Sequence, residues 1–137
     1  MLTAESAQSA LQRAGVRLTP QRLMIVDVLV GNRTHPTIEQ IYATARQRYP
    51  TLSLATVYHT VDLLAKHGLI LELRGSKDGL RCDPDTAPHA HAYCTECNAV
   101  YDIILPAAAA PDASALDGFR ATRVDISLYG ECQACRT

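Results

Sequence analysis

Four of the five cysteines in this 137-residue chain form two pairs with the same spacing. The pairs are Cys94-x-x-Cys97 and Cys132-x-x-Cys135, with 34 residues between Cys97 and Cys132. Two residues between paired cysteines allow one tight turn to direct both sulfur atoms at the same metal ion. A redox-active pair would need a thioredoxin-like βαβ context, which this sequence lacks. The doubled spacing therefore predicts a structural zinc site with four thiolate ligands.

A second group of candidate metal ligands lies just before the first cysteine pair. His89 and His91 have a spacing that, on a strand, directs both imidazoles to the same side. Asp83 and Asp85 precede them and Asp102 follows. Imidazole and carboxylate donors together are typical of sites for Fe(II), Mn(II) or Zn(II). The alternative is that the histidines are surface residues without a ligand.

Helix-capping residues divide the first part of the chain into four predicted helices. Good helix formers occupy residues 3–14, and Thr19-Pro20 is an N-cap followed by proline at the first helical position. Thr37 and Gln40 form a capping box that opens a third helix, which ends before Pro50. Ser53 caps a fourth helix from Leu54 to about His67, with Leu54, Val57, Val61 and Leu64 on its predicted buried face.

The element order after the fourth helix is typical of a DNA-binding module. Segments 69–74 and 80–83 flank a Gly-Ser-Lys-Asp-Gly turn, which predicts a strand–turn–strand hairpin. Helices followed by such a hairpin predict a winged helix-turn-helix. Polar and basic side chains on the fourth helix and around it are candidates for contacts to phosphates and base edges, although the alternative is a solvated helix face. The candidate DNA-binding residues are Arg17, Arg22, Thr56, Tyr58, His59 and Lys77.

Charge and composition divide the chain into two regions. Residues 1–82 contain ten Lys or Arg and six Asp or Glu, whereas residues 83–137 contain three and eight. A basic first part suits an anionic partner, and an acidic second part suits cations. We predict a DNA-binding domain at 1–82, a proline-containing linker at 83–91 and a second domain at 92–137. No segment has the length of a membrane span or the pattern of a signal peptide, so we expect a cytoplasmic protein without a membrane partner.

The second domain is predicted to contain two strands and an ambiguous segment. Val100–Leu105 has the composition of a strand, and Phe119–Tyr129 alternates between polar and apolar residues. Ala107–Leu116 is ambiguous because Pro111 interrupts an alanine run that could otherwise begin a helix. No catalytic arrangement emerges, and Cys82 is expected to be a small buried strand residue.

Taken together, these features resemble the ferric-uptake-regulator (Fur) family of metal-dependent repressors over nearly the whole chain. The resemblance implies an α+β fold, with an N-terminal winged helix-turn-helix domain followed by a small α/β dimerisation domain. It further implies a homodimer on a pseudo-palindromic double-stranded DNA operator. The motifs that carry it are Arg17-Leu-Thr-Pro-Gln-Arg22, His35-Pro-Thr37, Ser53-Leu-Ala-Thr-Val-Tyr58, Gly68-Leu-Ile70, His89-Ala-His91, Cys94-x-x-Cys97 and Gly130-Glu-Cys132-x-x-Cys135.

The resemblance also implies a regulatory metal site for Fe(II) or Mn(II) between the two domains. Its ligands would be His35 from the DNA-binding domain, Asp83 from the linker, and His89, His91 and Asp102 from the dimerisation domain. A metal held from both sides of a hinge would favour one relative orientation of the domains.

The two aspartates resemble the peroxide-sensing branch of the family, because iron-uptake members tend to carry glutamate at the positions of Asp83 and Asp102. In that branch Fe(II) reacts with hydrogen peroxide, the histidines matching His35 and His89 are oxidised, and repression ends, whereas a Mn(II)-loaded form resists peroxide. One departure from the family pattern is Asn98 in place of a glycine, which asparagine tolerates in a left-handed turn.

Two alternatives remain. The first is an uptake regulator of the same family that responds to manganese, iron or zinc. The second is a zinc metalloenzyme using His89, His91 and an aspartate. The second would leave the winged-helix region without a purpose, so we predict that the protein is not an enzyme.

Overall fold

The computed structural model describes residues 1–106 and 112–136 of the chain. The chain divides into two compact units, Met1–Ala87 and Pro88–Thr137. In the described ranges the first unit contains four helices and a two-stranded sheet, and the second contains a three-stranded sheet. This is the α+β fold class that the sequence predicts.

Each helix of the first unit begins at the capping residue that the sequence indicates. The side-chain oxygens of Thr3, Thr19, Thr37 and Ser53 each accept the backbone N–H of the residue three positions later. None of these helices has the length and apolar character needed to cross a membrane. The helices are α1 (Ala4–Arg13), α2 (Pro20–Leu29), α3 (Ile38–Arg48) and α4 (Leu54–Lys66).

An apolar core holds the helices of the first unit together. Burial of an aliphatic side chain stabilises a fold by about 1.5–3 kcal/mol, so this cluster is the main source of stability in the unit. Leu54, which the sequence assigns to the buried face of α4, is 38% exposed because it lies at the first helical position, before the packed turns. The buried core residues of the helices include Ile25, Leu29, Ile41, Val57, Val61 and Leu64.

A short hairpin follows α4 and completes the winged helix. Strands β1 (Leu71–Leu73) and β2 (Arg81–Asp83) are antiparallel, and both are shorter than predicted. We call β1, residues 74–80 and β2 the wing. The segment before α3 lies along the outer edge of β2: Thr37 forms a bridge with Arg81, and the Cys82 N–H donates to the Pro36 carbonyl at 2.9 Å.

The second unit is built around a central strand. Strand β3 (Ala90–Cys94) pairs antiparallel with β4 (Val100–Ile103) and parallel with β5 (Ser127–Gly130). The segment of the predicted linker outside strands is therefore residues 84–89. The parallel pairing makes β3 and β5 end at the same edge of the sheet, with Cys94 opposite Gly130.

The prediction of one strand over Phe119–Tyr129 is wrong for most of its length. Residues 119–126 form no regular structure, and the strand begins at Ser127. Alternating polar and apolar residues indicate that a segment could form a strand with one buried face, but a strand also needs a partner for its backbone hydrogen bonds. Strand β3 pairs with β5 only from His91 to Cys94. Of the ambiguous segment Ala107–Leu116, residues 107–111 lie outside the described residues. Elsewhere in the described second unit there is no helix.

Candidate functional site

The four paired cysteines converge at one end of the second unit. Cys94 is the last residue of β3, and Cys132 follows β5 by two positions. Both pairs adopt the same turn, since the N–H of Asn98 donates to the Cys94 carbonyl at 3.0 Å and the N–H of Arg136 donates to the Cys132 carbonyl at 2.9 Å. Asn98 has the left-handed conformation expected from the sequence, with φ of 62°. The four sulfur atoms lie within 4.8 Å of one another.

The electrostatics of these thiols suit a divalent cation. Backbone N–H groups of Cys97 and Cys132 donate to the Cys94 sulfur and lower its pKa to about 6. The Cys132 N–H makes one of these bonds at 3.4 Å. A hydrogen bond shared with Cys132 raises the pKa of Cys135 to about 12, because neighbouring thiols cannot all ionise without a counter-charge. Zn(II) supplies that counter-charge and prefers four thiolates in a tetrahedron, so the donor set fits zinc.

Two histidines of the second unit converge on one carboxylate oxygen of an aspartate. The Nε2 atoms of His89 and His91 lie 3.2 and 3.4 Å from Asp102 Oδ1. Direct cross-strand pairing of His91 with Asp102 in the β3–β4 ladder sets this arrangement. The side chain of His91 is buried, whereas about a third of Asp102 is exposed. Two imidazole nitrogens and a carboxylate are a donor set suited to Fe(II) or Mn(II).

The first unit holds a histidine–aspartate pair of its own. His35 Nε2 lies 3.6 Å from Asp83 Oδ2, and both side chains are almost fully buried. The other oxygen of Asp83 accepts the Asp85 N–H at 2.9 Å, which orients the carboxylate towards His35. Asp85 itself accepts the N–H of Ala87. The candidate ligand of the first unit is therefore Asp83 rather than Asp85.

His35 has an unusual backbone conformation that its surroundings maintain. Its φ of 51° is rare for residues other than glycine, and a proline follows it. The Arg81 guanidinium donates to the His35 carbonyl at 3.0 Å. Such strain persists where neighbouring contacts over-determine it, which is common at functional sites.

The candidate DNA-binding residues differ in what they contact. Tyr58 and His59 are exposed on α4, and Lys77 is exposed in the turn of the wing. The Thr56 hydroxyl lies 2.8 Å from that of Ser53 at the helix cap. The Arg22 guanidinium donates to the carbonyl of Arg17, so it also stabilises the segment before α2.

Three residues near these sites carry no signal of a role in the sequence. Glu39 accepts the Tyr58 hydroxyl at 3.3 Å and raises the pKa of Tyr58, and Arg81 supports His35 as described above. A hydrogen bond to Cys132 raises the pKa of Tyr101. No local pattern marks Arg81 or Glu39, because each acts through a residue distant in sequence. Cys82 is fully buried as expected, and burial raises the pKa of its thiol to about 12.

Comparisons with known proteins agree with this architecture. Residues 13–129 match the model of the ferric uptake regulator family. The peroxide operon regulator of Bacillus subtilis (strain 168) is 34% identical over 133 residues, covering 96% of this chain and 92% of the relative.

Two solved structures have the same fold. The peroxide stress regulator of Campylobacter jejuni superimposes with a TM-score of 0.68 and 25% identity, covering 98% of this chain and all of the other. The ferric uptake regulator Fur of Helicobacter pylori superimposes with a TM-score of 0.76 and 23% identity, covering 97% of this chain and 93% of the other. Since the family model spans most of the sequence and the folds agree, the chain belongs to the ferric uptake regulator family.

Proposed function

We propose that the protein is a metal-dependent transcriptional repressor that responds to hydrogen peroxide. The observation that carries this proposal is that each unit contributes a nitrogen–oxygen donor set with buried histidine side chains, distinct from the four cysteines. Sequence similarity to a peroxide operon regulator supports the choice of peroxide as the signal. The relatives are regulators, so binding rather than turnover is the proposed activity. We also propose a cytoplasmic location, because the proposed target is DNA.

The four cysteines are proposed to bind a structural zinc ion. Strands β4 and β5 are short, and the side chains of Leu128 and Tyr129 are exposed. The described part of the second unit therefore has little apolar core to stabilise it. Metal binding at a site absent from the unfolded chain contributes directly to folding free energy. Zinc would therefore hold the ends of β3 and β5 together and support the dimer.

The regulatory metal is proposed to bind the two donor sets at once. The ligands would be His35, Asp83, His89, His91 and Asp102. A shared ion would favour one arrangement of the two units, and it would shift the population towards that state only as far as it binds that state more tightly. In that state the dimer would bind a pseudo-palindromic operator through α4 and the wing of each subunit.

Fe(II) bound by these residues would supply redox chemistry towards hydrogen peroxide, which Mn(II) would not. The chain contributes the target: a ligand imidazole gains one oxygen atom from peroxide, whose second oxygen leaves as water. Oxidation of His35 or His89 would convert a ligand imidazole into an oxidised ring that binds the metal less well. The metal would then no longer connect the two donor sets, and the protein would release DNA. Asp83 and Asp102, in place of the longer glutamate, are consistent with the peroxide-sensing branch of the family.

The test compares Fe(II)-loaded and Mn(II)-loaded protein after dilute peroxide. We expect the iron form to lose affinity for a duplex selected from a random pool by the Mn(II)-loaded protein. Mass spectrometry should find an added oxygen on peptides that contain His35 or His89. The manganese form should keep both its affinity and its mass.

A different result would favour a different signal. If neither peptide gains oxygen and the iron form still binds DNA after peroxide, the protein is an uptake regulator for manganese, iron or zinc. Comparison of DNA affinity across these metals at fixed free concentration would then identify the signal.

A further inference from the structure

One side chain in the first unit joins the metal-ligand segment to the wing. Through one terminal nitrogen, Arg81 donates to the His35 carbonyl at 3.0 Å. Through the other terminal nitrogen it contacts Asp78 Oδ2 at 2.5 Å. Asp78 lies in the turn of the wing, next to Lys77. Arg81 therefore bridges a candidate metal ligand and a candidate DNA-binding element.

The chemistry of arginine suits this bridge. Its guanidinium is planar and presents donors in a rigid fork, so the positions of two acceptors become linked. The side chain of Arg81 is only 11% exposed, so its contacts are less screened by solvent than surface pairs are. By contrast, the neighbouring wing pair of Arg74 and Glu72 contains an arginine side chain that is 74% exposed.

The backbone on both sides of Arg81 strengthens the connection. Thr37 forms a bridge with Arg81, and the Cys82 N–H donates to the Pro36 carbonyl. The segment carrying His35 is thus attached to β2 by main chain and side chain together. A shift of the His35 carbonyl would be transmitted to β2 and, through the guanidinium, to the turn.

We infer that Arg81 is a positioning residue that couples metal binding at His35 to the placement of the wing. This inference rests on the proposed function and deepens it. A metal that holds the His35 imidazole fixes the adjacent carbonyl, which orients the guanidinium and thereby Asp78. The turn and Lys77 are then held where the wing meets DNA. Without metal, His35 and the wing are less constrained, and affinity for DNA falls.

The test measures the coupling between metal and DNA in matched variants. For each full-length protein, the affinity for the selected duplex is measured with and without Mn(II), at one salt concentration. The ratio of the two values is the coupling factor, and by linkage the duplex must change Mn(II) affinity by the same factor. Asp78→Ala removes the acceptor in the turn, and Glu72→Ala removes another wing carboxylate as the control.

We expect Asp78→Ala to reduce the coupling factor by roughly threefold to thirtyfold, the range found for residues that transmit coupling without touching a ligand. Arg81→Lys keeps the charge but loses the fork, so it should reduce the factor too. Glu72→Ala should retain the wild-type factor, although loss of a negative charge raises DNA affinity in both alanine variants. Thermal unfolding checks that each variant is folded.

Two results would overturn the inference. In the first, Asp78→Ala and Arg81→Lys both keep the wild-type factor. In the second, Glu72→Ala loses as much coupling as Asp78→Ala, so that charge rather than the bridge is responsible. A wild-type factor of one is a different failure, since it rejects metal-dependent DNA binding itself and the inference with it.

Discussion

At the scale of single residues, the chemistry depends on carboxylate oxygens that face imidazole nitrogens. Asp102 offers the same oxygen atom to His89 and His91, and Asp83 offers one oxygen to His35. In both sets the carboxylate is held by main-chain structure, a strand pair in one case and an N–H donor in the other. Because the main chain positions each carboxylate, the length of the side chain decides where its oxygen lies, and small displacements of reacting groups have large effects.

Asp102→Glu tests this sensitivity. The substitution keeps the charge and moves the oxygen by one methylene, so Mn(II)-dependent DNA binding should survive while histidine oxidation in the Fe(II) form slows. Mass spectrometry over a time course of dilute peroxide measures the rate. Asp85→Glu is the matched control and should oxidise at the wild-type rate. Oxidation of Asp102→Glu at that same rate would show that Asp102 does not set the geometry of the reactive ligands.

At the scale of elements, α4 and the wing carry the proposed DNA contacts with different roles. Tyr58 is 46% exposed and its hydroxyl is held by Glu39 on α3, which gives the ring a defined direction. Lys77 is an exposed cation on a turn, where it can meet a phosphate without reading a base. Directed contacts to bases confer specificity, whereas charge confers affinity for any duplex.

Tyr58→Ala and Lys77→Ala should therefore weaken binding in different ways. Tyr58→Ala should lose about tenfold or more in discrimination between the selected duplex and a scrambled one. Lys77→Ala should weaken binding to both duplexes equally and reduce the salt slope by about one. Titrations at several salt concentrations measure both effects. Equal loss of discrimination in the two variants would show that α4 is not the recognition helix.

At the scale of the whole molecule, the cysteine site connects the ends of a small sheet. Strands β3 and β5 run in parallel and finish together, so two turns far apart in sequence deliver four sulfur atoms to one place. The exposed apolar side chains of Ile104, Leu128 and Tyr129 belong to the same unit. Their burial in the proposed dimer would depend on a sheet that zinc keeps together.

Cys94→Ser should lose zinc and the dimer, because a serine hydroxyl does not replace a thiolate ligand and metal binding here contributes folding free energy. Zinc content by elemental analysis and molar mass by sedimentation are the measurements. Cys82→Ala removes the buried thiol outside the site and should keep full zinc. A Cys94→Ser protein with full zinc and dimeric mass would reject the structural assignment.

Interactions between near neighbours in sequence were predictable. All four helix caps join residues three positions apart, and each helix begins where its cap predicts. Both cysteine turns close within five residues, so the spacing predicts each pair of sulfur atoms, whereas the meeting of the two pairs depends on the pairing of β3 with β5. The caps and the turns depend on backbone geometry over a single turn, which local sequence determines without reference to the rest of the fold.

Tertiary structure decided the features that join distant residues. The hydrogen bond from Arg81 to His35 spans 46 positions, and that from Tyr58 to Glu39 spans 19. His35 was identified only through family resemblance, and β5 became a strand only where β3 offered a free edge. Such contacts form when separate elements pack, and many sequences with the same local patterns could place those side chains elsewhere. Local sequence therefore determined which elements form and which donors are present, while packing determined which donors meet.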